Sequence, residues 1–472
     1  MSTGRGDKEF EMLSKTYSVF DCDAHINDPL GIWEYVPERD RELVRNTYWR
    51  DDNTAFVNGT MPTRGGGPGE FAPMYNPICV AGPQMNKKLI RRLMEMAPLD
   101  DEQRRYLEHR GAYDARARLR DLDLMGIDQV LVIPTKILAN LPFAESAPGA
   151  AVFARAYNSF VADWCREAPT RLFPAAILPL QDVDLAIAEL EHVASLGFPV
   201  ALIRPIDARG EYPRELPPGG GVALGGHGGG GLGRLFDAFE DTGVVLGMHT
   251  FPAHKPFRTA GPGLLASPGE LLSHAGVDSQ TLSFVFEAQD WLAQVLLSGF
   301  LDRHPRLRMA IYESNATWLP SVLDGLDRYF RLYARQRSAD AARLPSEAFR
   351  DQCVISFEAD ESGVFKQWSW FEDLAIWSSD CYHADAADAW SAIREMDEVG
   401  VPESVQAKLM GANACRYYGI EPETHVTDEP ESLDRPDWFP RRADVDTWVS
   451  TAADPRGTLQ GAAAGSSSAE RD

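Results

Sequence analysis

Seven short apolar runs follow one another along this chain with helix-length segments between them. They are DQVLVIP (128–134), FPAAILPL (173–180), PVALIRP (199–205), VVLGMH (244–249), LRMAIYE (307–313), CVISFE (353–358) and LAIWSSD (374–380). An eighth, YSVFDCDAH (17–25), stands well ahead of them. Strands of a parallel sheet are covered on both faces, so they read as continuous apolar runs, and each needs a long crossover before the next. The segments between them suit helices. In DARARLRDLDLMG, Leu119, Leu122 and Met125 recur at three-residue spacing and Gly126 gives a stop. Helices are also expected over 149–168, 182–196, 235–241, 280–298, 317–337, 361–373 and 402–410. Eight alternating units predict an α/β chain closed into a (β/α)8 TIM barrel. No run is followed by G-x-G-x-x-G, which argues against a dinucleotide-binding sheet.

The first run changes character at its end. Asp21, Asp23 and His25 fall at spacing two, so on a strand they share one face. Two carboxylates and an imidazole together fit a divalent cation, and they fit a polar strand end equally well. The other strand ends decide between these, because a barrel of this kind carries its chemistry at the carboxyl ends of its strands. There the sequence offers Arg204, His249 with His254 in HTFPAH, Glu313, Glu358, and Asp380 with His383. Each has a plain alternative. His249 fits a satisfied core histidine, His254 a loop histidine, and Glu313 and Asp380 fit helix caps. Arg204 fits an ion pair or a site for a substrate anion. As a set they point to a metal centre, with Asp23 and His25 as ligands and Asp21 one step deeper as a supporting carboxylate. Glu358 and His383 are expected to orient ligands.

The rest of the 472 residues bounds the function. A formal charge of −24 disfavours nucleic acid and anionic membranes as partners. No run of about 18 apolar residues is present, and the first residues lack the apolar segment of a secretory signal. Six scattered cysteines without a C-x-x-C pair suit reduced thiols in the cytoplasm. Residues 1–16 read as a loose N-terminus, and 17–420 as the barrel. Within it, 26–113 is an insertion over the mouth and 209–233 a Gly-rich loop. Residues 421–472 read as an extension anchored by Trp438, Phe439 and Trp448, ending in a low-complexity tail. Assembly of identical chains is left open.

FDCDAHIND on strand 1, MH on strand 5, ESNATWLPSVLDGLDR after strand 6 and SSDCYHAD on strand 8 resemble the amidohydrolase-related (amidohydrolase-2) family over roughly residues 17–420. The resemblance implies a metal-dependent barrel with ligands at Asp23, His25, His249 and Asp380, and many such proteins are hydrolases or non-oxidative decarboxylases. The chain departs from them in carrying Glu313 where a histidine usually ends strand 6, and in having no lysine at the end of strand 4. With His254 and Glu313 added, the set Asp23, His25, His249, His254, Glu313 and Asp380 is rich in carboxylates, as in iron sites that activate dioxygen. In this respect the chain is similar to barrel non-haem diiron monooxygenases that act on coenzyme A-linked, diterpenoid-type substrates in antibiotic biosynthesis.

The leading expectation is therefore a monooxygenase with two iron ions and O2 as co-substrate, fed by an external electron donor. Glu313 and Asp380 would be its catalytic residues, and Lys87, Lys88, Arg91 and Arg92 candidates for the nucleotide phosphates. The alternative is a zinc- or manganese-dependent hydrolase or non-oxidative decarboxylase in which Glu313 is the general base. A barrel that binds ligand without catalysis is the remaining expectation.

Overall fold

The computed structural model describes residues 12–26, 30–51, 54–57, 61–64, 100, 110–135, 137–138, 141–144, 146–204, 214–215, 223–224, 231–250, 284–333, 340–383 and 386–430. Eight parallel strands form one sheet in chain order: β1 (Phe20–Ile26), β2 (Gln129–Pro134), β3 (Leu172–Ile177), β4 (Val200–Ile203), β5 (Val245–His249), β6 (Met309–Tyr312), β7 (Cys353–Phe357) and β8 (Ala375–Trp377). The last strand meets the first. A parallel bridge joins Ala24 to Cys381, Asp380 N–H donates to the Asp23 carbonyl at 3.0 Å, and His25 N–H donates to the Cys381 carbonyl. The sheet is thus a (β/α)8 TIM barrel, as the alternation predicts. Every residue of β1, β2, β4, β5, β6, β7 and β8 is buried, because helices cover the outside and side chains fill the inside.

Helices α1 (Ala115–Met125), α2 (Ala147–Cys165), α3 (Val183–Ser195), α4 (Gly231–Thr242), α5 (Phe284–Leu297), α6 (Leu319–Leu332), α7 (Pro345–Gln352) and α8 (Ala389–Val399) lie in the crossovers and after β8. Side-chain oxygens fix several starts: Asp114 accepts from Ala117 N–H at 2.8 Å, and Asp182 from Leu185 N–H at 3.0 Å. The expected helix over 361–373 is two short pieces, Ser362–Lys366 and Trp368–Phe371. Helices α7 and α8 go beyond the sequence expectations. α7 starts with Pro345 at its first position, and α8 runs from an Asp388 cap to Gly400 in the left-handed region.

At the amino-terminal end of the barrel, Asp128 gathers both ends of the domain. One carboxylate oxygen takes Lys15 Nζ at 2.5 Å and Val19 N–H at 2.7 Å, and the other takes the His425 and Val426 N–H groups at 2.6 and 2.8 Å. Lys15 and Asp128 are buried, and residues 13–15 pair with 427–429. A cavity of about 510 Å³, lined among others by Gln129, Phe173, Phe198, Tyr418 and Glu421, opens at this same end. The ionisable strand ends are at the other.

Candidate metal centre

Four barrel strands bring ionisable groups to one point at the carboxyl end. β1 supplies Asp23 and His25, β5 ends in His249, and Glu313 and Asp380 each stand just past β6 and β8. His25 Nε2 lies 3.2 Å from Asp23 Oδ1 and 3.4 Å from Asp380 Oδ1. His249 Nε2 lies 3.5 Å from Asp23 Oδ2 and 3.4 Å from Glu313 Oε2. The two imidazoles meet edge to face, with centroids 5.5 Å apart. Asp23, His25, His249 and Asp380 are all buried. His383 joins from the side: its Nδ1 is 2.6 Å from Asp380 Oδ1, and its ring stacks on His25 at 3.9 Å.

Neighbouring groups orient both histidines. His249 Nδ1 is 2.6 Å from the Thr250 carbonyl, which accepts only a proton-bearing nitrogen, so Nε2 is the nitrogen left to face the centre. The Thr135 hydroxyl donates to the Ile26 carbonyl at 2.8 Å, leaving its oxygen to accept from His25 Nδ1 at 3.4 Å. His25 Nε2 is then unprotonated. Burial first, and the charge of His383 second, lower the His25 pKa to about 3 against the pull of Asp23. Burial opposes ionisation of Asp23, but His249 and His25 outweigh it and hold the carboxyl well below the usual range. Imidazole nitrogens and an ionised carboxylate aimed at one point are what a divalent cation takes. Asp23 Oδ1 and His25 Nε2 make no well-formed hydrogen bond among the described residues, a costly arrangement for buried atoms unless an ion completes it. Asp23–His25–His249 and His25–Asp380–His383 are both groups whose donor atoms lie close enough for an ion.

The backbone is bent to present these side chains. Glu313 has φ 48° and Asp380 φ 52°, in the left-handed region that costs a residue with Cβ about 1–3 kcal/mol. The surroundings hold both turns. The Thr250 hydroxyl donates to the Glu313 carbonyl, and Glu313 N–H donates to Ser356 Oγ at 3.2 Å. Beyond them, buried Glu361 reaches under the same loop. Its Oε2 accepts from Ala316 N–H (2.8 Å), Thr317 N–H (3.2 Å) and the Thr317 hydroxyl (3.0 Å), and its Oε1 from Glu358 N–H (3.1 Å). On the β8 side, Asp21 accepts from Ser379 N–H at 3.0 Å, the Ser379 hydroxyl at 2.5 Å and Asp23 N–H at 3.1 Å. Burial pushes the Asp21 pKa up to about 7 against these bonds.

Asp23, His25, His249, Glu313, Asp380 and His383 are therefore brought together. Asp21 lies beside them, bound to Ser379. His254, the Gly-rich stretch apart from 214–215, 223–224 and the start of α4, the four basic residues at 87, 88, 91 and 92, and the three C-terminal aromatics lie outside the described residues. Arg204, just past β4, is 2 % exposed, with Nε 3.9 Å from Oε1 of buried Glu287 on α5. Glu358 is half-buried and meets Glu361 through its backbone. Glu361, three residues further on, is the one sunk beneath the site. The sequence signal for it was only a glutamate near a strand end. A further group, Asp237, Glu240 and His304, lies on α4 and the approach to β6. There Glu240 already accepts from Arg306 N–H at 2.7 Å and Asp237 is largely exposed, so hydrogen bonding accounts for it.

Comparison with known proteins corrects the leading functional expectation. The chain is 33% identical over 114 residues to a gamma-resorcylate decarboxylase from Rhizobium sp. (strain MTP-10005); the match spans 23% of this chain and 33% of that protein. Its fold is similar to that of an amidohydrolase from Mycobacterium avium subsp. paratuberculosis (TM-score 0.61, 19% identity, 86% of this chain and 100% of the other). It is also similar to that of a dihydroxybenzoic acid decarboxylase from Polaromonas sp. with bound manganese (TM-score 0.51, 15% identity, 85% and 97%). The relatives named for a reaction are decarboxylases, not oxygenases. That overturns the monooxygenase with its terpenoid, antibiotic-pathway substrate, and leaves two irons and O2 without support. The inference had leaned on Glu313, yet a carboxylate beside two histidines serves manganese and zinc as well as iron. The amidohydrolase family model matches residues 20–420, which span all eight strands and every ligand-bearing strand end, and the chain belongs to that family.

Proposed function

We propose that this protein is a cytoplasmic, divalent-metal-dependent decarboxylase that removes CO2 without oxidation from a small hydroxylated aromatic carboxylate. The observation that carries this is the convergence of Asp23, His25, His249 and Asp380, with both histidines presenting Nε2. The substrate class follows the gamma-resorcylate and dihydroxybenzoic acid decarboxylases that the chain resembles, and the preference for manganese or zinc the Polaromonas structure and the mixed donor set. A divalent ion there supplies a Lewis acid that draws electron density from a substrate oxygen.

The chain's own residues do the rest. Asp23 stays ionised and His25 stays neutral, so these two donors are ready at neutral pH. Arg204 offers a cation at the same end of the barrel for the substrate's anionic group, with Glu287 as its buried counter-charge. The Asp380–His383 pair, 2.6 Å apart, would pass on the proton that replaces the carboxyl group on carbon: the C–C bond breaks, CO2 leaves and C–H forms. Glu313 lies on the His249 side of the centre and favours a second reading, hydrolysis with Glu313 as general base. Purified protein with Mn2+ or Zn2+ should release CO2 from 2,6-dihydroxybenzoate or a close isomer equally under air and argon. Absence of CO2 release across such substrates, with turnover of an ester or lactone lost in Glu313→Gln, would establish the second reading instead.

A further inference from the structure

Arg118 is an arginine on the core face of α1, with no exposed surface. Its Nε donates to the Gly111 carbonyl at 2.7 Å, and its Nη2 donates to the carbonyl of His25 at 2.5 Å. Its guanidinium carbon sits 4.7 Å from the Tyr382 ring centroid and 5.4 Å from that of Trp164, so aromatic faces take the place of solvent around the charge. Nη1 has no hydrogen-bond partner among the described residues. A buried cation with one unused donor is an expensive way to fill space. It is explained by what the fork holds.

Three segments meet on it. Gly111 is where the long segment after β1 returns to the barrel. His25 is a candidate ligand on β1. Tyr382 lies two residues beyond Asp380, and its hydroxyl donates to Asp121 on α1 at 2.7 Å. The packing is close: a Cβ on Gly111 would fall 1.9 Å from the Tyr382 hydroxyl and 2.4 Å from Asp121 Oδ2. β1 and the turn after β8 carry Asp23, His25 and Asp380, and Arg118 bonds the backbone of the first while stacking on the second. A planar fork can hold two carbonyls and stack on a ring at once, which a lysine ammonium cannot.

We propose that Arg118 is a positioning residue for the metal centre: it fixes the backbone of His25 against the turn after Asp380, and so sets the angle between ligands of two different strands. This rests on the reading of the centre as a metal site. The test compares wild type, Arg118→Lys, Arg118→Met and a control, Asp327→Asn, which loosens the α6–α7 contact at Ser346 away from the site. Mn2+ dissociation constants are measured by calorimetry on chelator-stripped protein, with paramagnetic resonance of bound Mn2+ and thermal melting of each stripped protein alongside.

Loss of an outer partner of a ligand costs 10–100-fold in metal affinity. Arg118→Lys is expected to weaken Mn2+ about tenfold and to broaden the resonance, while Asp327→Asn lowers the melting temperature and leaves both unchanged. Arg118→Met goes further in the same direction, and if it does not fold, Arg118→Lys carries the test. Wild-type affinity and spectrum in Arg118→Lys would overturn the proposal while the metal reading stands. Equal weakening in Arg118→Lys and Asp327→Asn would reduce Arg118 to general stability and overturn it too. Wild type that binds neither Mn2+ nor Zn2+ would remove both the metal reading and the proposal.

Discussion

The imidazole of His249 is oriented by the residue that follows it: Nδ1 lies 2.6 Å from the Thr250 carbonyl, so Nε2 is the nitrogen turned toward Asp23 and Glu313. That single contact fixes which nitrogen of a buried strand-end histidine the proposed metal centre would use. His249→Ala removes the imidazole, and Asp23→Asn removes the carboxylate charge that both histidines face. Each should lower Mn2+ affinity by at least the 10–100-fold typical of mere outer partners. Metal content after dialysis at fixed free Mn2+ checks this, and metal retained at wild-type stoichiometry in both variants would count decisively against the centre.

Chelation should cost stability as well as activity. An ion present at about 100 times its dissociation constant stabilises the folded state by about 2.7 kcal/mol. Stripping the protein is expected to lower its melting temperature by several degrees, and Mn2+ at the same excess to restore it. Calorimetric scans with and without added Mn2+ measure the difference; a curve that ignores the metal contradicts the prediction.

Glu361 gives a prediction in pH. Burial raises its pKa above the ordinary value of 4.5, with the N–H groups of Ala316, Glu358 and Thr317 and the Thr317 hydroxyl pulling the other way. A raised carboxyl pKa means the native state holds the proton more tightly than the unfolded chain. Its contribution to stability is therefore full below 4.5 and is lost as pH rises through the raised value. Glu361→Gln should flatten the stability profile across that window, seen by urea titration at several pH values. Glu361→Ala should cost about 1–3 kcal/mol for each donor left unsatisfied, and lower kcat through the Glu313 loop.

Asp128→Ala tests the opposite end of the barrel. It leaves the buried Lys15 ammonium and three backbone N–H groups without their acceptor. Breaking a buried pair this way costs about 3–5 kcal/mol. Metal affinity should stay close to wild type, because the change lies at the far end of the strands. A large fall in stability with an intact metal site is the expected result.

Much of this was legible in the sequence for a simple reason. Barrel strands are buried on both faces, so VVLGMH and LAIWSSD announce themselves, and their final residues fall where the chemistry must be. Asp23, His25, His249 and Asp380 were readable in that way. Arg118 was not. The three-residue spacing of Leu119, Leu122 and Met125 drew the apolar face of α1 one position away from it. The aromatic rings that make its burial tolerable, Trp164 and Tyr382, come from distant parts of the chain. Glu361 was hidden likewise, since its donors belong to the loop after another strand. The reaction was misjudged on chemical grounds, because donor types narrow the choice of ion without naming the bond it breaks.

The contact between the Asp380 amide and the Asp23 carbonyl closes the ring of strands, and it joins two residues of the candidate centre. More than three hundred residues of synthesis separate the end of β1 at Ile26 from the start of β8 at Ala375. A nascent chain carries Asp23 and His25 from early on, gains His249 and Glu313 midway, and receives Asp380 and His383 only when the final strand docks. Completion of the centre is thereby a late check on folding: the full set of donors is assembled only in a chain that has been made, and folded, almost to its end.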